Sequence, residues 1–329
     1  MRSRVAVIYN EPVPGHYSPQ EEKEAIESIL NSAKAVHEAL LASGYDVTLV
    51  PLLPPLEQTR KELESLKVDL VFNLFEGFSG YPETEAVVTE IISELGIPYT
   101  GCPAKALALA LDKARTKAIL EEAGFATPRY QLLGPETLSA FHLSYPCIVK
   151  PCSEDASHGL SEESVVYDFA ALEKQVSLIS SLFRRVLVEE FIDGQEFNAT
   201  VLGNSACTVL PISEIVYLLP AGMPRILTFA SKWEPESLDY QGIKVICPAQ
   251  TPNREHIAKT ALAVFQLFSC RGYTRVDMRL DRGGQLNIIE VNPNPDISPG
   301  SGAARQAEAA GMRYNEFIAK IAMLALEKS

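Results

Sequence analysis

The sequence predicts an α/β protein with α+β lobes that begins with an N-terminal open parallel α/β sheet domain. Over the first 110 or so residues short apolar runs alternate with helical patterns, which favours a sheet with helices on both faces. Beyond them the chain becomes richer in strands. Near its end, Asp281-Arg-Gly-Gly284 sits between two apolar runs and signals a hairpin.

The elements follow in order. Residues 5–9 read as the first strand, 21–43 as a helix ending near Gly44, and 46–52 as the second strand. A proline-rich loop, a charged helix near 58–66 and a third strand at 69–73 come next. Residues 84–95 form a helix closed by Gly96, and 98–101 a short strand and turn. Residues 107–123 read as one helix, with Gly124 as its C-cap and Pro128 soon after. Strands at 145–150 and 185–190 flank a helix at 168–182, and 197–202 and 210–217 follow as strands. Strands at 273–280 and 285–291 flank the hairpin turn, and 303–311 and 314–327 are terminal helices.

A chain of 329 residues has room for two or three lobes of roughly 100 to 150 residues each. Hydrophobic residues make up 47% and charged residues 22%, ordinary for a soluble globular protein. No apolar run approaches the roughly 20 residues that span a bilayer, and the start is too soon interrupted to be a signal peptide. The 6 cysteines contain no Cys-x-x-Cys pair, so neither a disulfide framework nor a zinc site is indicated, and a reducing cytoplasm fits. Asn198-Ala-Thr200 matches a glycosylation sequon by chance. The net charge of −13 excludes general nucleic-acid binding but leaves room for a small anion in a locally basic cleft.

The hairpin carries the chemistry. With a four-residue connection, 280 faces 285 and Arg275 faces Glu290. Period-two alternation then puts Arg275, Asp277, Glu290 and Asn292 on one face. Two carboxylates and an amide oxygen beside a guanidinium suit Mg²⁺, which takes a few protein oxygens and completes its shell with phosphates and water. The competing reading is the solvated face of an edge hairpin. The loop from Asn292 to Gly302 then runs into a helix, where backbone N–H groups of Ser301 and Gly302 would point at an anion such as a carboxylate. Gly300-Ser-Gly-Ala-Ala304 lacks the third glycine of a dinucleotide fingerprint, and no Walker-type loop occurs.

Lys150 ends an apolar strand before a polar loop, a place suited to phosphate contact, and Lys113 lies in Leu111-Asp-Lys-Ala-Arg-Thr-Lys117. Each alone reads more often as a surface lysine. Glu189 and Glu196 lie where a strand leaves into a turn; their carboxylates suit adenine or ribose, and a solvated strand end would look the same.

In order, these segments resemble the ATP-grasp superfamily and, within it, the D-alanine–D-alanine ligases. The resemblance rests on Asp69-Leu-Val-Phe-Asn73, Gly96-Ile-Pro-Tyr-Thr-Gly101, Leu111-Asp-Lys113 with Lys117, and Ala123-Gly-Phe-Ala-Thr-Pro128. It continues through Tyr145-Pro-Cys-Ile-Val-Lys-Pro151, Glu189-Glu-Phe-Ile-Asp-Gly-Gln-Glu196, Cys247-Pro-Ala249, Gly272-Tyr-Thr-Arg-Val-Asp277 and Glu290-Val-Asn292. It implies an N-terminal α/β lobe (1–111), a central ATP-grasp lobe (112–191) and a C-terminal ATP-grasp lobe (192–329), with ATP between the last two. By matching position, Lys113 and Lys150 would contact phosphates, Glu189 and Glu196 adenine and ribose, with Ile192 also at the nucleotide. Asp277, Glu290 and Asn292 would hold two Mg²⁺ ions, with Mn²⁺ an alternative. Arg275 would stabilise the tetrahedral intermediate, Lys232 would lie in the lid, and Ser301 with Gly302 would receive a substrate carboxylate. The implied partners are small amino-acid or peptide substrates, and the implied assembly is a homodimer.

The departures fall on the substrate side. The family's serine of a Gly-Ser-Ser segment is Ala156, its lid tyrosine is Trp233, and no N-terminal Glu stands out within Asn10–Gly15. A His-Gly becomes Glu76-Gly77, and a loop glycine becomes Asp296. A carboxylate–amine ligase with substrates other than two D-alanines is therefore expected. A true D-alanine–D-alanine ligase and an inactive nucleotide-binding module are the alternatives.

Overall fold

The computed structural model describes residues 2–11, 19–154, 159–234 and 236–327, with residues 19–27 and Trp233 described by their backbone alone. β1 (Arg4–Asn10), α1 (Pro19–Ala42), β2 (Asp46–Leu52), α2 (Leu56–Ser65), β3 (Leu70–Leu74) and α3 (Thr84–Glu94) form the first lobe. Its strands pair in parallel in the order β2-β1-β3, and Tyr99 adds a single parallel bridge to Val71. Helices cover both faces of β1, so Val5 through Tyr9 are all buried. Val5 and Val7 pack with Val36 and Leu40 of α1, while Ala6 and Ile8 pack with Leu63 of α2 and Val88 of α3.

The single helix expected over 107–123 is instead two, α4 (Ala104–Leu111) and α5 (Lys113–Glu122). Asp112 breaks it in an extended conformation, capping α5 by accepting from the Arg115 N–H. Arg185 holds the same carboxylate at 2.6 Å, and the Lys113 N–H donates to Cys152 O at 3.0 Å. The break therefore makes Lys113 the first residue of a helix docked on the next lobe.

That lobe contains β4 (Tyr130–Leu133), β5 (Cys147–Pro151), β6 (Val165–Val166), α6 (Phe169–Leu182) and β7 (Val186–Glu190). Its antiparallel sheet runs β4-β7-β5-β6 and encloses a core of its own, including Leu133, Leu172, Val176, Val186 and Val188.

The remainder builds β8 (Glu196–Gly203), β9 (Cys207–Val209), β10 (Ser213–Tyr217), α7 (Phe229–Trp233), α8 (Leu238–Gln241), β11 (Ile243–Ile246), α9 (Arg254–Leu267), β12 (Gly272–Leu280), β13 (Leu286–Pro293), α10 (Gly302–Ala309) and α11 (Tyr314–Leu326). The strand expected over 210–217 starts only at Ser213, because Pro211 offers no N–H to a ladder and divides it from β9. The sheet runs β11-β10-β8-β12-β13, with β9 also pairing β8. Its cores are shared with the first lobe. Ala86, Cys102 and Leu107 pack with Val276 and Ile288, and Val5 and Val36 pack with Tyr273 and Phe317.

The hairpin corrects the expected pairing. Leu280 pairs Leu286, so the connection is five residues long, 281–285, and a bulge next to Asp277/Met278 leaves Ile289 unpaired. Arg275 consequently faces Asn292, not Glu290, and Asp277 faces Glu290. Two one-residue shifts sum to two, so the expected shared face survives although the individual pairs do not. Among the described residues no helix is long and apolar enough to cross a membrane, and the 6 cysteines are free.

Candidate active site

Strand alternation brings Arg275, Asp277, Glu290 and Asn292 to one face, beside Asn198 of β8, the register partner of Asp277. Arg275 forks onto Asp277, with Nε 2.7 Å from Oδ1 and Nη2 2.8 Å from Oδ2. Asn198 donates to Oδ1 at 2.6 Å and Asn292 to Oδ2 at 2.9 Å. Asn198 is thus a buried partner of the acid, which removes the sequon as a modification site. Burial raises the Asp277 carboxyl above its ordinary value although Arg275 works against it. Glu290 goes the other way: burial opposes its charge, but Lys113 and Lys150 pull it down to about 2. Burial also opposes the Arg275 charge, and Asp277, Glu290 and Asp296 together hold that guanidinium above its usual range.

Opposite the hairpin lies the end of the central sheet. Lys113 Nζ is 2.8 Å from Glu290 Oε1 and donates to Glu154 O at 2.6 Å. Lys150 lies one residue before the end of β5 and Glu189 on the neighbouring β7, so both reach the same place. Glu189 Oε1 lies 3.0 Å from Lys150 Nζ and 3.1 Å from Lys117 Nζ. Burial opposes the Glu189 charge, but both ammonium charges hold its carboxyl below the usual range. Lys117 donates to Thr127 Oγ1 at 2.7 Å, and that hydroxyl donates to Ile288 O at 2.8 Å, next to the bulge. The sequence matched Lys117 to a motif but gave it no task.

Glu196 faces Arg279 across β8 and β12. Its Oε2 accepts from Arg279 Nε at 2.8 Å and from the Tyr217 hydroxyl at 2.6 Å. Arg279 Nη1 also donates to the Ile192 carbonyl at 2.9 Å, joining two of the expected nucleotide residues through a side chain the sequence reading passed over.

The remaining expectations fare unevenly. Ser301 does not present its N–H to an anion, because Ser298 O takes it at 3.0 Å, while its hydroxyl caps α10. No acceptor among the described residues takes the Gly302 N–H. Asp296 is exposed, and Ser298 binds its carboxylate through both N–H and hydroxyl, at 2.8 and 2.9 Å. Glu76 is exposed beyond β3, its N–H donating to Asn10 Oδ1 at 2.9 Å. Lys232 is exposed on α7, a helix whose Phe229 N–H donates to Leu160 O at 3.2 Å. Ala156 and residues 12–15 lie outside the described residues, as does the Trp233 side chain.

The donor set fits a hard divalent cation completed by phosphates. Asp277, Glu290 and Asn292 offer oxygen donors on one face, and among the described residues no group of three His, Cys, Asp or Glu forms a ready-made cage.

The family model described as "D-ala D-ala ligase C-terminus" matches residues 119–323. An uncharacterized protein of Sinorhizobium fredii, y4sG, is 32% identical over 94% of this chain and 90% of its own length. A D-alanine–D-alanine ligase of Xanthomonas axonopodis pv. citri is 33% identical over 89% of this chain and 88% of its own. Among solved structures, the D-alanine–D-alanine ligase of Bacillus anthracis complexed with ATP superposes with a TM-score of 0.74 at 22% identity, covering 99% of this chain and 97% of that one. The VanG D-Ala:D-Ser ligase of Enterococcus faecalis gives 0.75 at 23%, covering 99% and 100%. These two share the fold. Together with the matched family model and the sequence relatives, the shared face of Arg275, Asp277, Glu290 and Asn292 leads to one conclusion: the chain belongs to the D-alanine–D-alanine ligase family of ATP-grasp enzymes, ATP-dependent ligases that form C–N bonds.

Proposed function

We propose that this ligase joins amino acids or small peptides other than two D-alanines, through an acyl phosphate. The observation that carries the ligase chemistry is the convergence of Arg275, Lys113, Asp277, Glu290 and Asn292. A carboxylate is a poor electrophile. Its oxygen attacks the γ-phosphorus of ATP, the bond to the ADP oxygen breaks, and an acyl phosphate forms. The amine nitrogen then attacks the acyl carbon, phosphate leaves with the C–O electron pair, and the nitrogen loses a proton.

Asp277, Glu290 and Asn292 would hold the magnesium, two ions in this proposal, which when bound neutralises phosphate charge. Lys113 and Lys150 neutralise the transferring phosphoryl group from the other side. Arg275 stabilises the oxyanion as the amine attacks. In this reading Glu196, anchored by Arg279 and Tyr217, takes the ribose, and the strand end at Glu189 and Ile192 takes the adenine. The Gly302 N–H takes a substrate carboxylate.

The substrate proposal rests on the carboxylates gathered around β12. Asp296 reaches Arg275, Tyr273 and Tyr314 with its field, and Glu76 and Glu85 reach Tyr273. Negative charge gathered on this side attracts a substrate richer in amine groups than alanine. The test is phosphate release over pairs of D- and L-amino acids and short peptides, with product masses. If D-alanyl-D-alanine forms with the highest specificity constant, the substrate proposal fails. If no pair releases phosphate, the ligase mechanism fails.

A further inference from the structure

Lys117 is a cation in an unfavourable place. Its side chain is 2% exposed, and it stands beside a second buried ammonium, Lys150, with Glu189 as the carboxylate between them. The three groups carry one net positive charge. Glu121 on its own helix and the ring of Tyr130, 5.8 Å away on β4, complete its charged and titratable surroundings.

Lys150 has two claims on it. It pairs with Glu189, and its charge is also felt by Glu290 on the hairpin. If Lys150 were the sole counter-ion of Glu189, turning to a phosphate would strand a buried carboxylate, a strongly unfavourable state. Lys117 has no such freedom. Thr127 ties its ammonium to Ile288, and the Ile288 N–H is itself bound to Ala126 O at 2.8 Å. We infer that Lys117 is a positioning residue for nucleotide binding, the fixed counter-ion of Glu189 that leaves Lys150 free to turn to a phosphate. This rests on the reading of Lys150 as a phosphate contact. Burial pulls the Lys117 pKa down to about 8 although Glu189 opposes the fall.

The test is ADP affinity by calorimetry on the full chain. Lys117→Met weakens ADP binding by about tenfold or more with the circular dichroism spectrum unchanged, and Lys117→Arg restores it. In a Glu189→Gln background, whatever affinity that change itself costs, Lys117→Met causes little further loss, because a neutral amide needs no counter-ion. Unchanged affinity in Lys117→Met, or an equal loss from Lys117→Met with and without Glu189→Gln, overturns the inference. If Lys117→Met does not fold, Lys117→Gln carries the test with the same readout, and unchanged ADP affinity in that variant overturns the inference. Lys150→Ala separates the two levels. If that variant binds ADP like the wild type, the reading of the cleft fails. If it binds weakly while Lys117→Met binds normally, only the role of Lys117 fails.

Discussion

Both nitrogens of the Arg275 fork, Nε and Nη2, are spent on Asp277, at 2.7 and 2.8 Å. The guanidinium therefore lies on a carboxylate proposed to hold metal, where its positive charge competes with the ion. With Asn198 and Asn292 also donating, Asp277 is saturated by the protein itself.

Arg275→Ala should cut kcat by about a hundredfold or more, and far more than it raises the nucleotide Kd. Without nucleotide, the same variant should bind Mn²⁺ more tightly, because an internal competitor is gone. Equal losses in kcat and nucleotide affinity would reduce Arg275 to an ATP contact.

Glu290→Gln should nearly abolish turnover with little change in secondary structure, since the amide removes one of the two carboxylates on the hairpin face. Turnover assays beside circular dichroism check this, and a fully active variant would sink the metal assignment.

Arg279→Met should act on stability first. It leaves Glu196 buried with only the Tyr217 hydroxyl, and breaking such a pair costs about 3–5 kcal/mol. Urea unfolding is the measurement, and a loss below about 1 kcal/mol would place the pair with weakly coupled surface ions.

Asp296→Gly should shift substrate preference. Relative to wild type, the specificity constant for a basic amino acid should fall by about tenfold against that for D-alanine. An unchanged ratio would mean that Asp296 serves only the turn it forms with Ser298.

The shared face of the hairpin was legible because parity is insensitive to an even shift. The pairs were not, because the turn closes between Asp281 N–H and Gln285 O and Ile289 bulges. A signal existed: Leu286, Ile288 and Val291 all enter the core, and their spacing breaks period two at Ile288-Ile289. Asn198 was read as a sequon because its meaning lies across the sheet, at Asp277. Helix α9 went unread although Ile257, Ala261, Val264 and Phe265 repeat at helical spacing. The first lobe was easier, since the buried parallel strands β1 and β3 between helices write their pattern locally. The Ser301 N–H misled because a turn to Ser298 consumes a donor that the sequence shows as available.

The separate core of the central sheet has a consequence for unfolding. Leu133, Leu172, Val176 and Val186 depend on one another, whereas the first and last lobes stand or fall together through Val5, Tyr273 and Phe317. Heat should therefore meet two cooperative units of unequal size, with the smaller melting first and opening to proteases from within. Several of the ties between them are polar, among them Lys113 to Glu290, Thr127 to Ile288 and Phe229 to Leu160. A nucleotide held by both units would add its binding energy to the weaker one, drawing two melting transitions towards one.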